Sequence, residues 1–365
     1  MKKIKILYTI PNFDTAGSGK VVYDLIKGLD KTIFAPEICC AHTKGAFFKD
    51  IERLGVPIHV FNYYSNYRPF ISLPSRIWRV SRFFRKHQFD IIHSWHWSSD
   101  ITEPLAAKLA GTPFVYTKKA MGWGNKAWCW RSQLSAKIIT INSDMNTFFK
   151  SMIQKVVQIP LGIDLKQYRP LEKAYHTPCG LTFNKGDFVI VSIANLAPVK
   201  GIEVLIEAVI KLNNPNVKVV HVGANNNDYG NKLKAQYAHL DQVFFINKVS
   251  DVRPYLAIAD VFVIPTKNEG RKEGLPVAPM EAMACQRLVL GSHISGIKDL
   301  LSPFNNLLFE PNNIVELENK LNCIMELSEA ERVNLAIQLR QRIERQFNLT
   351  SCVEQHQKLY KRLVN

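Results

Sequence analysis

The sequence predicts an α/β protein of two domains, each a parallel sheet covered by helices. Three observations carry this. Short β-branched or aromatic runs alternate with helical patterns in two successive series. The rhythm breaks once, at QIPLGIDLKQYRP, where two prolines and a glycine interrupt it near Leu165. The 365 residues overfill one ordinary core and suit two. Repeated βα units imply parallel sheets buried on both faces, because parallel neighbours need a crossover that is usually helical.

The first series of strands is expected at residues 5–10, 37–41, 58–61, 91–94, 114–117, 138–141 and 156–159, most bounded by turn residues. The second is expected at 188–194, 218–222, 243–246, 261–265, 288–291 and 307–309. A long helical pattern closes the chain from Ser328 to about Leu363, interrupted near Phe347-Asn348. Ligands in such sheets lie beyond the C-terminal ends of the strands, here expected in a cleft between the domains. No apolar run approaches the ~20 residues needed to span a bilayer. MKKIKILYTIPNF breaks at Pro11 and Asp14 without a small-residue cleavage pattern, so a first strand is expected there and not a signal peptide. The seven cysteines form no C-x-x-C pair, which predicts reduced thiols in a cytoplasmic protein and no metal or disulfide framework.

Charge is uneven along the chain. Of the net +16, residues 1–165 carry 23 basic and 11 acidic side chains. No acidic residue occurs between Arg53 and Phe89, a window containing YYSNYRPFISLPSRIWRVSRFFRKH. With Ser75 as a helix cap, Ile77, Val80 and Phe84 share one face, and Arg79, Arg82, Arg85 and Lys86 the other. This describes an ordinary surface helix. It also describes attachment to an anionic membrane surface through exposed Trp78 or Phe83. Nucleic acid is not expected, since no nucleic-acid module accompanies the charge.

Three strand-to-helix loops carry the chemistry. After the first strand, Gly17, Ser18 and Gly19 lead into an amphipathic helix whose N-terminal amides can meet an anion, or serve only a tight turn. Neither a G-x-G-x-x-G fingerprint nor a P-loop is present. After the first strand of the second series, Asn195 is followed by Lys200 and Gly201 at a helix start, where an ammonium can pair with a phosphate. INKVSDV, with Asn247, Lys248 and Val249, is a polar turn able to grip a base through backbone groups. Third, EGLPVAPMEAMA places Glu273 in the turn Gly274-Leu275-Pro276 and Glu281 in the helix that follows from Val277, with Met280, Met283 and Ala284 at core spacing. On a continuous helix the two glutamates stand roughly 12 Å apart. That exceeds the ~5–9.5 Å of paired hydrolytic carboxylates and argues against an acid/base pair. The span suits a long ligand with a hydroxyl-bearing group at each end and an anion between, since a helix N-terminus favours a phosphate by ~0.3–2 kcal/mol. A sugar nucleotide has that layout; a capped surface helix with a paired Glu281 is the plain alternative.

EGLPVAPMEAMA resembles the E-x7-E element of retaining glycosyltransferase family 4, which has the GT-B fold of two Rossmann-like domains. The resemblance extends to the Gly-rich N-terminal turn, DIIHSWHW, IPLGID, the Lys-Gly pair and DVFVIPT. It implies transfer of a hexose-type sugar from a nucleotide-diphosphate-sugar to a glycan or lipid-linked acceptor with retained anomeric configuration. It implies no metal and no bound cofactor, the donor being a co-substrate, a UDP-sugar ahead of a GDP-sugar. By the resemblance Glu273 contacts the donor sugar, Glu281 the ribose, Lys200 and the amides of Leu275 and Val277 the diphosphate, and residues 247–249 the base. It divides the chain into an acceptor domain, 1–165 with a C-terminal helix from about 346 to 365, and a nucleotide-sugar domain, 166–345. Location is then cytoplasmic, peripheral on the inner membrane face, in cell-surface polysaccharide or lipopolysaccharide synthesis.

Two departures stand out. Asn195 occupies the position where the family usually has an Arg; Lys267, Arg271 or Lys272 is expected to replace that charge, and Glu269 rivals Glu273. The family's two histidines separated by one residue are here His93-Ser94-Trp95-His96, with His96 favoured over His93 near the reacting centre. A sugar-nucleotide epimerase of the same fold and a non-catalytic basic binding protein with a decayed donor site are the alternatives.

Overall fold

The computed structural model describes residues 2–14, 16–45, 47–270 and 273–364. Two compact units emerge, Met1–Gly162 with Leu349–Asn365, and Ile163–Asn348.

The first unit is a parallel sheet of β1 (Ile4–Thr9), β2 (Phe34–Cys40), β3 (Ile58–Val60), β4 (Ile91–Ser94), β5 (Phe114–Lys118), β6 (Lys137–Thr140) and β7 (Val156–Gln158), in the order β3-β2-β1-β4-β5-β6-β7. Its helices are α1 (Ala16–Gly28), α2 (Phe48–Glu52), α3 (Leu73–His87), α4 (Thr102–Ala110) and α5 (Trp128–Leu134). The chain runs outward from β1 to β3 and then returns to β4 on the other side of β1. Strand order therefore reverses between β1 and β4, where open α/β sheets bind ligands. Alternate side chains face opposite sides of the sheet. Leu7 and Ile92 join Val80 and Phe84 of α3 in one core, while Tyr8 and His93 point the other way. There they meet the C-terminal helix, Leu349–Val364, whose Tyr360 lies 3.0 Å from the Tyr8 hydroxyl and 2.7 Å from His93 Nδ1. Gly28 admits this helix: a Cβ there would stand 2.7 Å from a Val353 methyl.

Helix α3 buries Val80 and Phe84 and turns Arg79, Arg82, Arg85 and Lys86 outward, as the periodicity predicts. Two details differ. The helix starts at Leu73, with Pro74 in its first turn, so Ser75 lies inside it and donates to the Ser72 carbonyl instead of capping. Phe83 is half-buried, stacked on Phe61, and only Trp78 of the pair is exposed.

A charged network is sealed under the first sheet's C-terminal edge. Glu103 of α4 accepts from Thr9, the last residue of β1, and from Ser94, the last of β4, at 2.8 Å. Arg131 of α5 reaches Glu103 and Ser94 at 3.0 Å and the Asp100 carbonyl at 2.9 Å. Both side chains of the pair are 1% exposed.

The second unit is a parallel sheet in the order β10-β9-β8-β11-β12-β13, from β8 (Phe188–Ile193), β9 (Val217–Val222), β10 (Val243–Ile246), β11 (Val261–Ile264), β12 (Leu288–Ser292) and β13 (Leu308–Phe309). Its helices are α6 (Ile202–Leu212), α7 (Asp228–Gln236), α8 (Arg253–Ile258), α9 (Val277–Ala284), α10 (Ile297–Leu301), α11 (Ile314–Glu326) and α12 (Glu329–Gln346). Order reverses between β8 and β11. Met280, Met283 and Ala284 of α9 are fully buried, as their spacing predicts. Ser328 and Glu331 form a capping box at the start of α12, and the helical pattern is interrupted at Phe347-Asn348. All seven cysteines are free. Among the described residues no helix is long and apolar enough to cross a membrane.

All six tryptophans lie between Trp78 and Trp130, so tryptophan fluorescence reports the first unit selectively. Removing one partner of a buried ion pair strands the other, at a cost of about 3–5 kcal/mol. Arg131→Met is therefore expected to lower the urea midpoint read by tryptophan emission, and Arg131→Met with Glu103→Leu to recover part of the loss. A single variant with an unchanged midpoint would refute the network's role.

Burial also fixes a pH dependence. It lowers His93 well below the usual imidazole range, His96 to about 3 and His356 to about 4. These rings stay neutral in the fold, whereas the unfolded chain takes up their protons below about pH 6.5. Their contribution is complete above that pH and is lost as pH falls towards 4. The same fluorescence transition is expected at lower urea at pH 5 than at pH 7.5.

Candidate active site

In the second unit, the loops after β8 and β11 flank the strand-order reversal. The chain leaves β8 through Asn195 and Leu196, turns through Pro198–Lys200, and enters α6 at Gly201. Gly201 has φ +65°, and a Cβ there would lie 2.2 Å from the Pro265 carbonyl oxygen. Only glycine combines that backbone conformation with so close an approach to the end of β11. The Lys267 amide donates to the Val199 carbonyl at 2.8 Å and stitches the two loops together. The Lys200 ammonium consequently meets the Glu273 carboxylate in an ion pair, with 25% and 22% of the side chains exposed. Two residues separated by 73 positions, each singled out in the sequence, are thus neighbours.

The segment of Gly274, Leu275 and Pro276 is buried, with Pro276 extended, and leads into α9, which carries no acidic residue in its first turn. Its N-terminal amides therefore present positive potential without a competing carboxylate. Because the helix starts only at Val277, the span between Glu273 and Glu281 is part extended and part helical. Glu281 accepts a hydrogen bond from the Tyr168 hydroxyl, whose ionisation is pushed up by burial and by the Glu281 charge. Tyr168 comes from the linker, and its carbonyl accepts from Arg340 at 2.5 Å. Its neighbour Gln167 accepts from Arg253, which pairs with Asp251 at 2.7 Å, in the loop that follows residues 247–249. Asn247 and Lys248 are exposed and Val249 half-buried, at the C-terminal end of β10.

Lys267, one of the residues expected to replace the missing arginine's charge, is paired with carboxylates of its own unit. Its ammonium is committed to Glu203 at 2.5 Å and to Glu269 at 3.6 Å. Arg271 and Lys272 lie outside the described residues. Asn195 serves the backbone, accepting from the Ala224 amide at 3.3 Å. Glu269 is exposed and paired to Lys267, so Glu273 alone of the two meets Lys200.

In the first unit, the turn after β1 and the loops after β4 and β5 converge. Gly17, Ser18 and Gly19 lie inside the first turn of α1, which begins at Ala16, and not in a loop ahead of it. Gly19 is set by packing: a Cβ there would stand 3.0 Å from Phe13 and 3.3 Å from Phe47. Lys119, just past β5, donates to Ser18 at 3.0 Å and lines the same pocket as His96, Trp97 and Trp123. His96 packs 4.3 Å from Tyr64, centroid to centroid. Its buried Nδ1 has no hydrogen-bond partner among the described residues. Burial first, then the charges of Arg131 and Lys119, hold the ring neutral.

His93 is different. It is fully buried, and its two ring nitrogens are occupied by Tyr360 and by Thr117 at 2.9 Å. No atom of it remains for a ligand, which leaves His96 as the histidine at this edge. Lys119 and Tyr168 were missed by the sequence reading. A doubled lysine after a strand and a tyrosine between the linker prolines were the available signals. Also unforeseen, Glu37, His59 and His87 fold to within 4.8 Å of one another.

Residues 15–167 match the model of "Glycosyltransferase Family 4" and residues 180–342 that of "Glycosyl transferases group 1". The chain is 25% identical over 304 residues to the Escherichia coli UDP-Gal:alpha-D-GlcNAc-diphosphoundecaprenol alpha-1,3-galactosyltransferase, covering 76% of this chain and 77% of that one. It is 24% identical over 344 residues to the Campylobacter jejuni N,N'-diacetylbacillosaminyl-diphospho-undecaprenol alpha-1,3-N-acetylgalactosaminyltransferase, covering 87% and 89%. A glycosyltransferase structure from Rickettsia africae superposes with TM-score 0.85 at 18% identity over all of both chains. Anabaena HepE in complex with UDP and glucose does so with TM-score 0.80 at 19% identity over 98% and 99%. With one glycosyltransferase model matching the first half, another the second, and a fold shared over the whole length, the chain belongs to the family 4 type of GT-B glycosyltransferases.

Proposed function

We propose that the protein transfers a hexose-type sugar from a UDP-sugar to a diphosphate-linked lipid acceptor carrying a first sugar, with retention and without a metal. The observation that carries this is the Lys200–Glu273 pair at the strand-order reversal of the second unit, beside the start of α9. In the reaction the bond from the anomeric carbon to the diphosphate oxygen breaks, a bond to the acceptor hydroxyl oxygen forms, and the hydroxyl proton passes to the departing diphosphate oxygen. Negative charge grows on the leaving diphosphate. Lys200, exchanging Glu273 for phosphate, and the amides of Leu275 and Val277 stabilise it. Glu273, so released, meets the donor sugar. Glu281, oriented by Tyr168, accepts from the ribose hydroxyls, and residues 247–249 take the base. The first unit holds the acceptor, where neutral His96 offers a hydrogen bond to a reacting oxygen and Ser18 and Lys119 line its approach. Support for the donor and acceptor classes comes from the galactosyltransferase relative, named for UDP-Gal and a diphosphoundecaprenol-linked sugar, and from the UDP-bound HepE structure.

A lipid-linked acceptor also suits the surface of the first unit. Phe70, Ile71 and Trp78 are 61%, 97% and 55% exposed beside Arg68, Arg79 and Arg82. Apolar side chains among cations fit the interface of an anionic membrane, at about 1 kcal/mol per basic residue near the surface. It supports a reading in which the enzyme works at the cytoplasmic face of the membrane, in synthesis of a surface polysaccharide.

Transfer from UDP-hexoses to a short-chain polyprenyl-diphosphate sugar tests the chemistry. Lys200→Ala is expected to reduce kcat/KM by about 10²–10³-fold. Glu269→Gln should stay near the unaltered enzyme, EDTA should have no effect on transfer, and UDP should raise the melting temperature except in Glu281→Ala. Turnover lost in Glu269→Gln but kept in Glu273→Gln would move the site. No shift with UDP, GDP or ADP and no turnover would favour the decayed binding protein.

Sedimentation with vesicles tests the surface. Binding is expected to phosphatidylglycerol-containing vesicles and not to pure phosphatidylcholine, and to be lost in Ile71→Glu with Trp78→Glu. Equal binding to both lipids, or none, would refute it.

A further inference from the structure

Three residues far apart in sequence meet at the β3 edge of the first sheet, and no step of the proposed reaction uses them. Glu37 of β2 lies buried, and its Oε2 stands 2.5 Å from Nε2 of His59 in β3. His87, the last residue of α3, brings its ring to 4.5 Å from that of His59, centroid to centroid. One ligand atom from each residue falls within a 4.8 Å circle. A zinc ion with ligands at ~2.0–2.2 Å and tetrahedral angles holds them about 3.4 Å apart, so this set closes on a metal with small side-chain shifts. Both imidazoles are held edgewise or stacked by aromatic neighbours, His59 by Phe83 at 5.4 Å and His87 by Phe89 at 5.7 Å. The other glutamate oxygen is oriented by Lys5, whose ammonium bonds Oε1 at 2.9 Å and the His87 carbonyl at 2.8 Å.

We propose that Glu37, His59 and His87 form a divalent transition-metal site, suited to zinc, that pins the end of α3 to β2 and β3. Two imidazoles and one carboxylate are a nitrogen–oxygen set that zinc accepts, with a fourth position left to water. The half-exposed rings give an ion access from solvent. Lys5 fixes the carboxylate as an outer partner does, and its charge opposes the ion. Glu37 and His59 lie within β2 and β3, Glu37 opposite Leu7 of β1, and His87 ends α3, whereas Gly17, His96 and Lys119 follow the C-terminal ends of β1, β4 and β5. The role of the site is therefore structural: it anchors the helix that carries the basic face.

The test uses the full chain without an affinity tag, stripped of metal and titrated with zinc chloride by calorimetry. One equivalent is expected to bind with a micromolar or tighter Kd and to raise the melting temperature. His87→Ala should weaken binding at least tenfold, a loss seen when metal-site residues are removed. Cobalt(II) bound to the unaltered chain should give the intense visible bands of a four-coordinate site, a readout that requires no variant to fold. The absence of saturable binding, an undiminished affinity in His87→Ala, or the weak spectrum of six-coordinate cobalt would each overturn the assignment.

Discussion

The Arg131–Glu103 ion pair, sealed beneath the C-terminal edge of the first sheet, determines both the shape and the chemistry of that edge. Its carboxylate accepts from Thr9 and Ser94, which are register partners on β1 and β4. Those are the strands between which the order reverses, so one side chain fastens together the two strand ends that lead to the Gly17 turn and to His96. Burying two charges costs several kcal/mol per ion before their attraction is counted. The arrangement is tolerable because the carboxylate is saturated by hydroxyls and guanidinium, and Arg131 also stacks over Phe114 at 5.0 Å. The guanidinium charge reaches further. Together with burial it keeps His96 neutral. A neutral imidazole offers a hydrogen bond without adding a positive charge, which is the role proposed for it, so the packing of the floor dictates what His96 can do.

The second unit reaches the same topology by different means. Its loops are brought together by missing side chains. A Cβ at Gly201 would strike the Pro265 carbonyl, and one at Gly223 would stand 1.8 Å from the Ala194 carbonyl. Backbone meets backbone on both sides of β8, and the polar groups above remain reachable. The contrast in burial follows. Arg131 and Glu103 are locked, whereas Lys200 and Glu273 are each about a quarter exposed. An ion pair that water still reaches is screened and gains less from its attraction than one sealed from solvent. In the proposed reaction the Lys200–Glu273 pair gives way to a diphosphate, and until then each charge compensates the other.

The strand series, the buried face of α9 and the break after α12 were legible because each is a local period, two in strands and 3.6 in helices. Position 75 was misread because a serine with the right spacing resembles a cap, and only the conformation of Ser72 and Leu73 decides where the first turn begins. His93 and His96 look alike in sequence. What separates them is Tyr360, 267 residues away, which occupies one nitrogen of His93. Tyr168 on Glu281, Lys119 on Ser18 and the Glu37, His59 and His87 cluster share that character. Each joins segments whose separation carries no periodic signal, and only the strand order makes them neighbours.

The absence of an arginine at position 195 has a structural consequence beyond a lost charge. Asn195 satisfies the Ala224 amide, so it closes the start of the loop after β9, a task an arginine's donors cannot perform because the amide needs an acceptor. Lys267, the nearest described candidate for compensation, is held by two carboxylates and stitches its own loop to Val199. In the proposed reaction the charge on the leaving diphosphate therefore falls, among the described residues, on the Lys200 ammonium and on amides at the head of α9. Amides are fixed by the helix and need no reorganisation as charge develops. A site of this kind depends more on the position of α9 than on the number of its cations. That position is set by the fully buried Met280 and Met283 beneath and by Arg340, which bonds the Ala284 carbonyl at the helix end and the Tyr168 carbonyl beside Glu281.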